Sequence, residues 1–204
     1  TENATYIQTP LRMRLFYLQL QTPIVDVAAG QMLDLFGWGG RGFFPNTLAF
    51  QGITGQIYHR QTSVRVSKTV RPGGLELEAA IAATRPVQRA SGLPEGQAGL
   101  RLALPAWSTV RAQGYGRPGV GPLSLGVSGV GRRLEVAEFL EYPGASQRAL
   151  GWGFAVDAFI PVVPVKSTQD RRNALSLVGE FSTGTGISDL YTELTGGALF
   201  PSLT

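Results

Sequence analysis

The sequence predicts an all-β chain: an antiparallel transmembrane β-barrel, or an incomplete portion of a larger one. Apolar side chains recur at every second residue over long segments, charge is scarce, and no apolar run is long enough for a membrane helix. Hydrophobic residues make up 43% of the 204 residues and charged ones only 16%, against about 25% charged in ordinary soluble domains. The longest apolar runs are Phe159 to Val165, interrupted by Pro161 and Pro164, and Ala79 to Ala83. Neither approaches the ~20 residues that a spanning helix requires. The 27 glycines and 13 prolines suit many strands joined by turns. The same composition would also fit a soluble β-sandwich, so the order of residues has to separate the two. One domain over 1–204 is expected.

The alternation is clearest from Arg148 to Ile160. Leu150, Trp152, Phe154, Val156, Ala158 and Ile160 occupy one parity, and Ala149, Gly151, Gly153, Ala155 and Asp157 the other. Successive side chains of a strand point to opposite faces, so one face is greasy and the other small or polar. Leu75, Leu77, Ala79, Ile81 and Ala83 alternate in the same way with Glu76, Glu78, Ala80, Ala82 and Thr84. So do Ala98, Leu100, Leu102 and Leu104 with Gln97, Gly99, Arg101 and Ala103. Leu123, Leu125 and Val127 face away from Ser124, Gly126 and Ser128, and Leu175, Leu177 and Phe181 from Ser176, Glu180 and Ser182.

Residues 61–85 read as one hairpin turning at Arg71-Pro72-Gly73-Gly74, whose proline and glycines favour a tight turn. Val70 opposite Leu75 would set Val66 against Ala79 and Val64 against Ile81, leaving Ser63, Arg65, Ser67, Thr69, Glu76 and Glu78 on the polar face. Lys68 alone breaks the apolar face. The first segment is less regular: Leu11, Met13 and Leu15 alternate with Arg12 and Arg14, and a slip near Phe16 brings Gln19 and Gln21 to the polar side. Ile24 to Phe36 is the expected partner strand. Short links at 71–74 and 129–132 and longer ones at 37–55, 86–96, 141–147 and 166–172 match the turn-and-loop alternation of bacterial barrels. Roughly nine or ten strands are expected at spanning length. The segment 199–204 does not read as a strand, hence the expectation of an incomplete barrel.

Several chemistries find no support. The chain has no cysteine and a single histidine, His59. Zinc sites and Ser-His-Asp triads therefore have little to work with, and neither an enzyme activity nor a cofactor is expected. The formal charge of +4 comes from scattered arginines without a basic, aromatic-interleaved cluster, so nucleic acid is not an expected partner. Gly114 to Gly121 lacks the lysine and hydroxyl of a phosphate loop and reads as a turn, as does Gly184-Thr185-Gly186. Arg12, Arg14, Arg65, Arg101 and Arg111 share the polar parity of their strands, as do Glu76 and Glu78. Together they are the candidate pore-lining residues, because rings of arginine in a pore favour anions. Trp38, Trp107, Trp152, Tyr17, Tyr58 and Tyr142 are placed as an aromatic girdle would place them, or as ordinary core aromatics.

Ala29-Gly30-Gln31-Met32-Leu33-Asp34-Leu35-Phe36-Gly37, Phe44-Pro45-Asn46-Thr47 and Gly55-Gln56-Ile57-Tyr58-His59-Arg60-Gln61 resemble trimeric porins of the DcaP-like group. Gly179-Glu180-Phe181-Ser182 with Gly184 and Gly186 is similar to a later strand and loop of such porins. The resemblance covers about half of the chain. It implies a homotrimer in the bacterial outer membrane, surrounded by lipid, with a water-filled pore for small anionic solutes. This chain is shorter than a full porin and lacks a closing aromatic strand. The alternative is a soluble β-sandwich or jelly-roll binding module, whose strands should be shorter and whose apolar faces should meet each other.

Overall fold

The computed structural model describes residues 15–38, 56–86, 92–111, 119–137, 146–167, 169–170 and 172–191, the side chains of residues 111, 136, 137, 146 and 147 excepted. Eight strands follow one another: β1 (Phe16–Gln21), β2 (Asp26–Leu33), β3 (Arg60–Val70), β4 (Glu76–Thr84), β5 (Glu95–Arg111), β6 (Gly119–Ala137), β7 (Ser146–Val163) and β8 (Leu175–Thr185). All pairs are antiparallel and each strand pairs with its neighbours in sequence, from β1 to β8. The sheet is not closed. Among the described residues no helix is long and apolar enough to cross a membrane.

Alternation decides which way each side chain faces. In β7, Leu150 (82% exposed) and Trp152, Phe154 and Val156 face outward, while Ala155, Asp157 and Phe159 are buried. The parity read from the sequence holds in β3 to β8. Val64, Ile81, Leu100, Leu125, Leu177 and Phe181 are exposed, and Ser63, Glu78, Ala80, Gln97, Ser124 and Ser128 are buried. The outward face is mainly apolar and uncovered; the inward face carries most of the polar groups.

Three local expectations are corrected. The β3–β4 register is displaced by two residues, with Val70 opposite Leu77, Val66 opposite Ile81 and Val64 opposite Ala83. The turn is wider than a four-residue one because Pro72–Gly74 forms a 3-10 turn, closed by the Leu75 N–H donating to the Pro72 carbonyl at 3.0 Å. A shift of two preserves the facing of every side chain, which is why the faces were legible although the pairing was not. Residues 129–132 are not a turn but lie inside the 19-residue β6. Finally, links as long as 164–174 occur at the same end as the short 22–25 and 71–75 turns, so short and long links do not divide cleanly between the two ends. The first strand is described only from Leu15, and Arg12 and Arg14 lie outside the described residues. Eight strands are described where nine or ten were expected.

β5, β6 and β7 have 17, 19 and 18 residues. At ~3.3 Å per residue each extends well beyond the 9–11 residues that cross a bilayer. Register shifts interrupt β5–β6 between Leu104 and Ser108, and β7–β8 between Pro161 and Val163. Such irregularities bend a strand and increase its twist.

The absence of cysteine makes the register directly testable. Opposed residues of an antiparallel pair lie ~4.5–5.5 Å apart and diagonal ones ~7–8 Å. Val66→Cys with Ile81→Cys should therefore cross-link under mild oxidation faster than Val66→Cys with Ala79→Cys. The reverse order would mean that the register lies two residues away.

Candidate inner wall and docked segment

The inward face encloses a piece of its own chain. After β2 the chain turns inward through Asp34 and Leu35 into a 3-10 turn, Phe36–Trp38. Leu35, Phe36 and Trp38 are 0–1% exposed. Leu35 and Trp38 pack with Ala80 and Ala82 of β4 and Phe159 of β7. Phe36 packs with Ile57, Val130, Ala155, Ile187 and Leu190. Side chains from β4 and β7 meet the same segment, so the sheet curls around it. Burying each large apolar side chain contributes ~1.5–3 kcal/mol, which makes this cluster the main apolar core of the described chain.

Polar wall residues hold the segment's backbone. Gln97 Oε1 accepts the N–H groups of Leu35 (2.8 Å) and Phe36 (3.0 Å), and Ser128 Oγ accepts that of Gly37 (2.9 Å). The Trp38 indole Nε1–H donates to the Val127 carbonyl at 3.0 Å. Gly99 makes room for that indole: a Cβ there would lie 2.9 Å from Trp38 Cζ2. Gly37 has φ +72°, and a Cβ on it would meet Ile57 at 2.9 Å, so glycine is required on both counts. Trp38 itself has φ +46°, a strained conformation for a bulky residue that its surroundings hold in place. Trp38 is therefore a core aromatic and not part of a girdle, whereas Trp152 and Trp107 are exposed.

A second piece of chain docks beside the first. The Ile57 N–H donates to Glu180 Oε1 (3.0 Å), and that of Tyr58 to the Leu190 carbonyl (3.0 Å). The Tyr191 hydroxyl donates to Ser182 Oγ at 2.8 Å. His59 Nδ1 lies 3.3 Å from Asp34 Oδ2. The sole histidine thus ties the two ends of the long β2–β3 link together.

Arg132 is the centre of the charged network, and the sequence reading missed it. Its side chain is 1% exposed; Nη2 lies 2.7 Å from Glu95 Oε1, also 1% exposed. Asp189 receives both guanidinium nitrogens, at 2.5 and 2.8 Å, and the Gly186 carbonyl accepts from Nη1 at 3.1 Å. Two parallel bonds to one carboxylate are the strong, geometrically specific form of this pair. Arg132 therefore fastens the segment after β8 to the β5–β6 wall. Arg132 shares the inward parity of Ser124 and Ser128, and that was its only sequence signal.

The candidate residues divide as follows. Arg101 is buried, with Nη1 at 3.1 Å from Glu76 and 3.3 Å from Glu78, and Nη2 at 3.3 Å from Ser124 Oγ. Glu78 stands opposite Arg101 in the register. Glu76 and Glu78 therefore neutralise Arg101. Arg65 also faces inward, half-buried, donating to the Leu33 carbonyl at 2.6 Å. Arg111 ends β5 opposite Gly119; its side chain lies outside the described part. Asp157 and Glu180 face each other across β7 and β8 on the inward side. Asp157 is fully buried, and no hydrogen-bond donor reaches its oxygens among the described residues. Between β1 and β4 a polar hollow of about 260 Å³ opens, lined by Gln19, Gln21, Asp26, Thr69, Glu76 and Glu78 among others.

No family model matches this chain, and comparison with curated proteins and with solved structures finds no match either. The porin resemblance thus rests on the residues quoted above.

Arg132→Met would leave Glu95 buried without its cation. Breaking a buried pair from one side costs ~3–5 kcal/mol, so urea unfolding should show a loss of that size. Adding Glu95→Leu should recover part of it. An Arg132→Met chain of native stability would mean that the network contributes nothing.

Proposed function

We propose that this chain forms part of the wall of an outer-membrane channel of the porin kind, through which small hydrophilic solutes diffuse passively. One observation carries the reading. Leu18, Ile81, Leu100, Leu150, Leu177 and Phe181, on strands from β1 to β8, are each 59–82% exposed on one face of a single sheet. Soluble monomers rarely expose a contiguous apolar patch beyond a few hundred Å², whereas a barrel wall in lipid requires one. A β-sandwich would place a second sheet over this face, and none is present among the described residues. The long strands point the same way. The resemblance to DcaP-like porins adds a homotrimer and a bacterial outer-membrane location.

Solute preference follows from the inward charges. The described strands turn Arg65, Arg101 and Arg132 inward, together with Asp26, Glu76, Glu78, Glu95, Asp157 and Glu180. Arg101 and Arg132 are matched by carboxylates, and carboxylates outnumber arginines on the described inward face, so the proposed anion preference draws on the candidates Arg12, Arg14 and Arg111. Screening confines each charge to about 8 Å at physiological salt, so only those at the narrowest point act on a solute. The docked segment 34–38 fills part of the interior and narrows the passage.

Two measurements test this. Phe154→Arg should reduce folding of the full-length protein into vesicles by ~2–4 kcal/mol, the cost of a lipid-facing arginine near the midplane. A variant that folds as well as the parent and needs no detergent would overturn the membrane reading. In planar bilayers, Arg101→Ser should move the reversal potential toward cations, because Glu76 and Glu78 lose their partner. Cation selectivity in the unaltered channel would overturn the anion preference.

A further inference from the structure

We propose that Asp157 and Glu180 share a single proton, and that this pair is a pH-sensitive latch holding residues 56–58 against the inner wall. The two carboxyl groups stand opposite each other in the β7–β8 register and lie within hydrogen-bonding reach. Asp157 is 0% exposed, and no N–H or hydroxyl among the described residues donates to either of its oxygens. A carboxylate placed there has neither water nor a donor to support its charge. A second carboxylate beside it makes ionisation costlier still. The proton therefore stays on Asp157, whose O–H donates to Glu180. Glu180 keeps the negative charge because it has a donor of its own, the Ile57 N–H at 3.0 Å from Oε1.

The surrounding elements bring no cation to this pair among the described residues. The β6 residue opposite Asp157 is Gly126, and the β5 residue opposite Gly126 is Arg101. The Arg101 guanidinium is taken up by Glu76, Glu78 and Ser124. Ser128, on β6, accepts from the Gly37 N–H, and Ser182, on β8, from the Tyr191 hydroxyl. On the docked segments His59 faces Asp34, Arg60 lies over Tyr58, and Asp189 is joined to Arg132, which also holds Glu95. A proton is what remains to separate the two carboxylates.

Raising the pH removes that proton and leaves two like charges facing each other. Asp157 is enclosed, whereas Glu180 is half-buried on β8, the last strand of the sheet. Glu180 is therefore the one that turns toward water, and its turning breaks the bond to Ile57. Ile57 keeps its bridge to Tyr191 and its packing against Phe36, Val130 and Ala155, but it loses its polar tie to β8. Residues 56–58 are thus held at lower pH and loosened as pH rises. In the channel reading above, the loosened segment widens the passage.

The test follows the amide proton resonance of Ile57 in the folded full-length protein carrying isotope-labelled isoleucine, with the peak assigned by its loss in I57V. Between mildly acidic and alkaline pH the resonance should move upfield in one step, as the bond to Glu180 is lost. D157N has no proton to give up, and its side-chain amide donates to Glu180 at every pH, so the step should be absent. If D157N does not fold, E180Q replaces it: its amide donates to Asp157 while its Oε1 still accepts from Ile57, and the step should again be absent. An unmoved resonance in the parent overturns the latch, and so does a step of equal size in the variants. Conductance in planar bilayers separates this inference from the channel reading. It should rise across the same step in the parent and stay level in D157N. A step at Ile57 with level conductance in the parent supports the latch and counts against the docked segment as a constriction of a channel.

Discussion

In a wall one strand thick, each side chain has only two directions available, and here the two faces meet different environments. The outward face is a band of leucine, valine, isoleucine and aromatic side chains. The inward face takes most of the charges that the described strands carry, in a space that the chain itself partly fills. That constraint decides which inward residues are small. Gly99, Gly151 and Gly153 lie where a Cβ would strike Trp38, Arg132 and Phe36, and Ala80, Ala82 and Ala155 line the rest of the contact. Large residues inside would force the segment out.

Charge is handled under the same constraint. An inward charge crowded by a docked segment cannot keep its full hydration, so it needs a partner on the wall. Arg101 finds Glu76 and Glu78 on the neighbouring strand, and Arg132 finds Glu95 on the wall and Asp189 on the docked chain. The first network stiffens β4 against β5. The second joins the wall to what lies against it, so its partners come from parts of the chain distant in sequence.

This distinction explains what was legible. Parity is a property of one strand, so the faces of β7, from Leu150 to Ile160, could be read directly. Register belongs to two strands and a turn: the Pro72–Gly74 turn moved Val66 from Ala79 to Ile81 without altering either face. Gly129 and Gly131 suggested a turn because glycine ends strands as readily as it flattens them. Arg132, next to them, was lost with that reading. Trp38 and Gly99 each carried half of a signal, a bulky aromatic in a link and a glycine among leucines. Only the fold brings them together. The candidate arginines were chosen by parity, which gives the direction of a side chain but not its counter-charge.

The docked segment also bears on the order of assembly. Every strand pairs with its sequence neighbour, so the sheet can grow hairpin by hairpin with short loop closures. The bonds that seat residues 35–37 and 57 span 62, 61, 91 and 123 positions. Gln97, Ser128 and Glu180 must already be in place on β5, β6 and β8 before the segment has acceptors to meet. Until then Leu35, Phe36 and Trp38 stay uncovered in a chain whose other apolar face is also bare. Docking is thus a late step in assembly, and Leu35, Phe36 and Trp38 are open to self-association until it takes place.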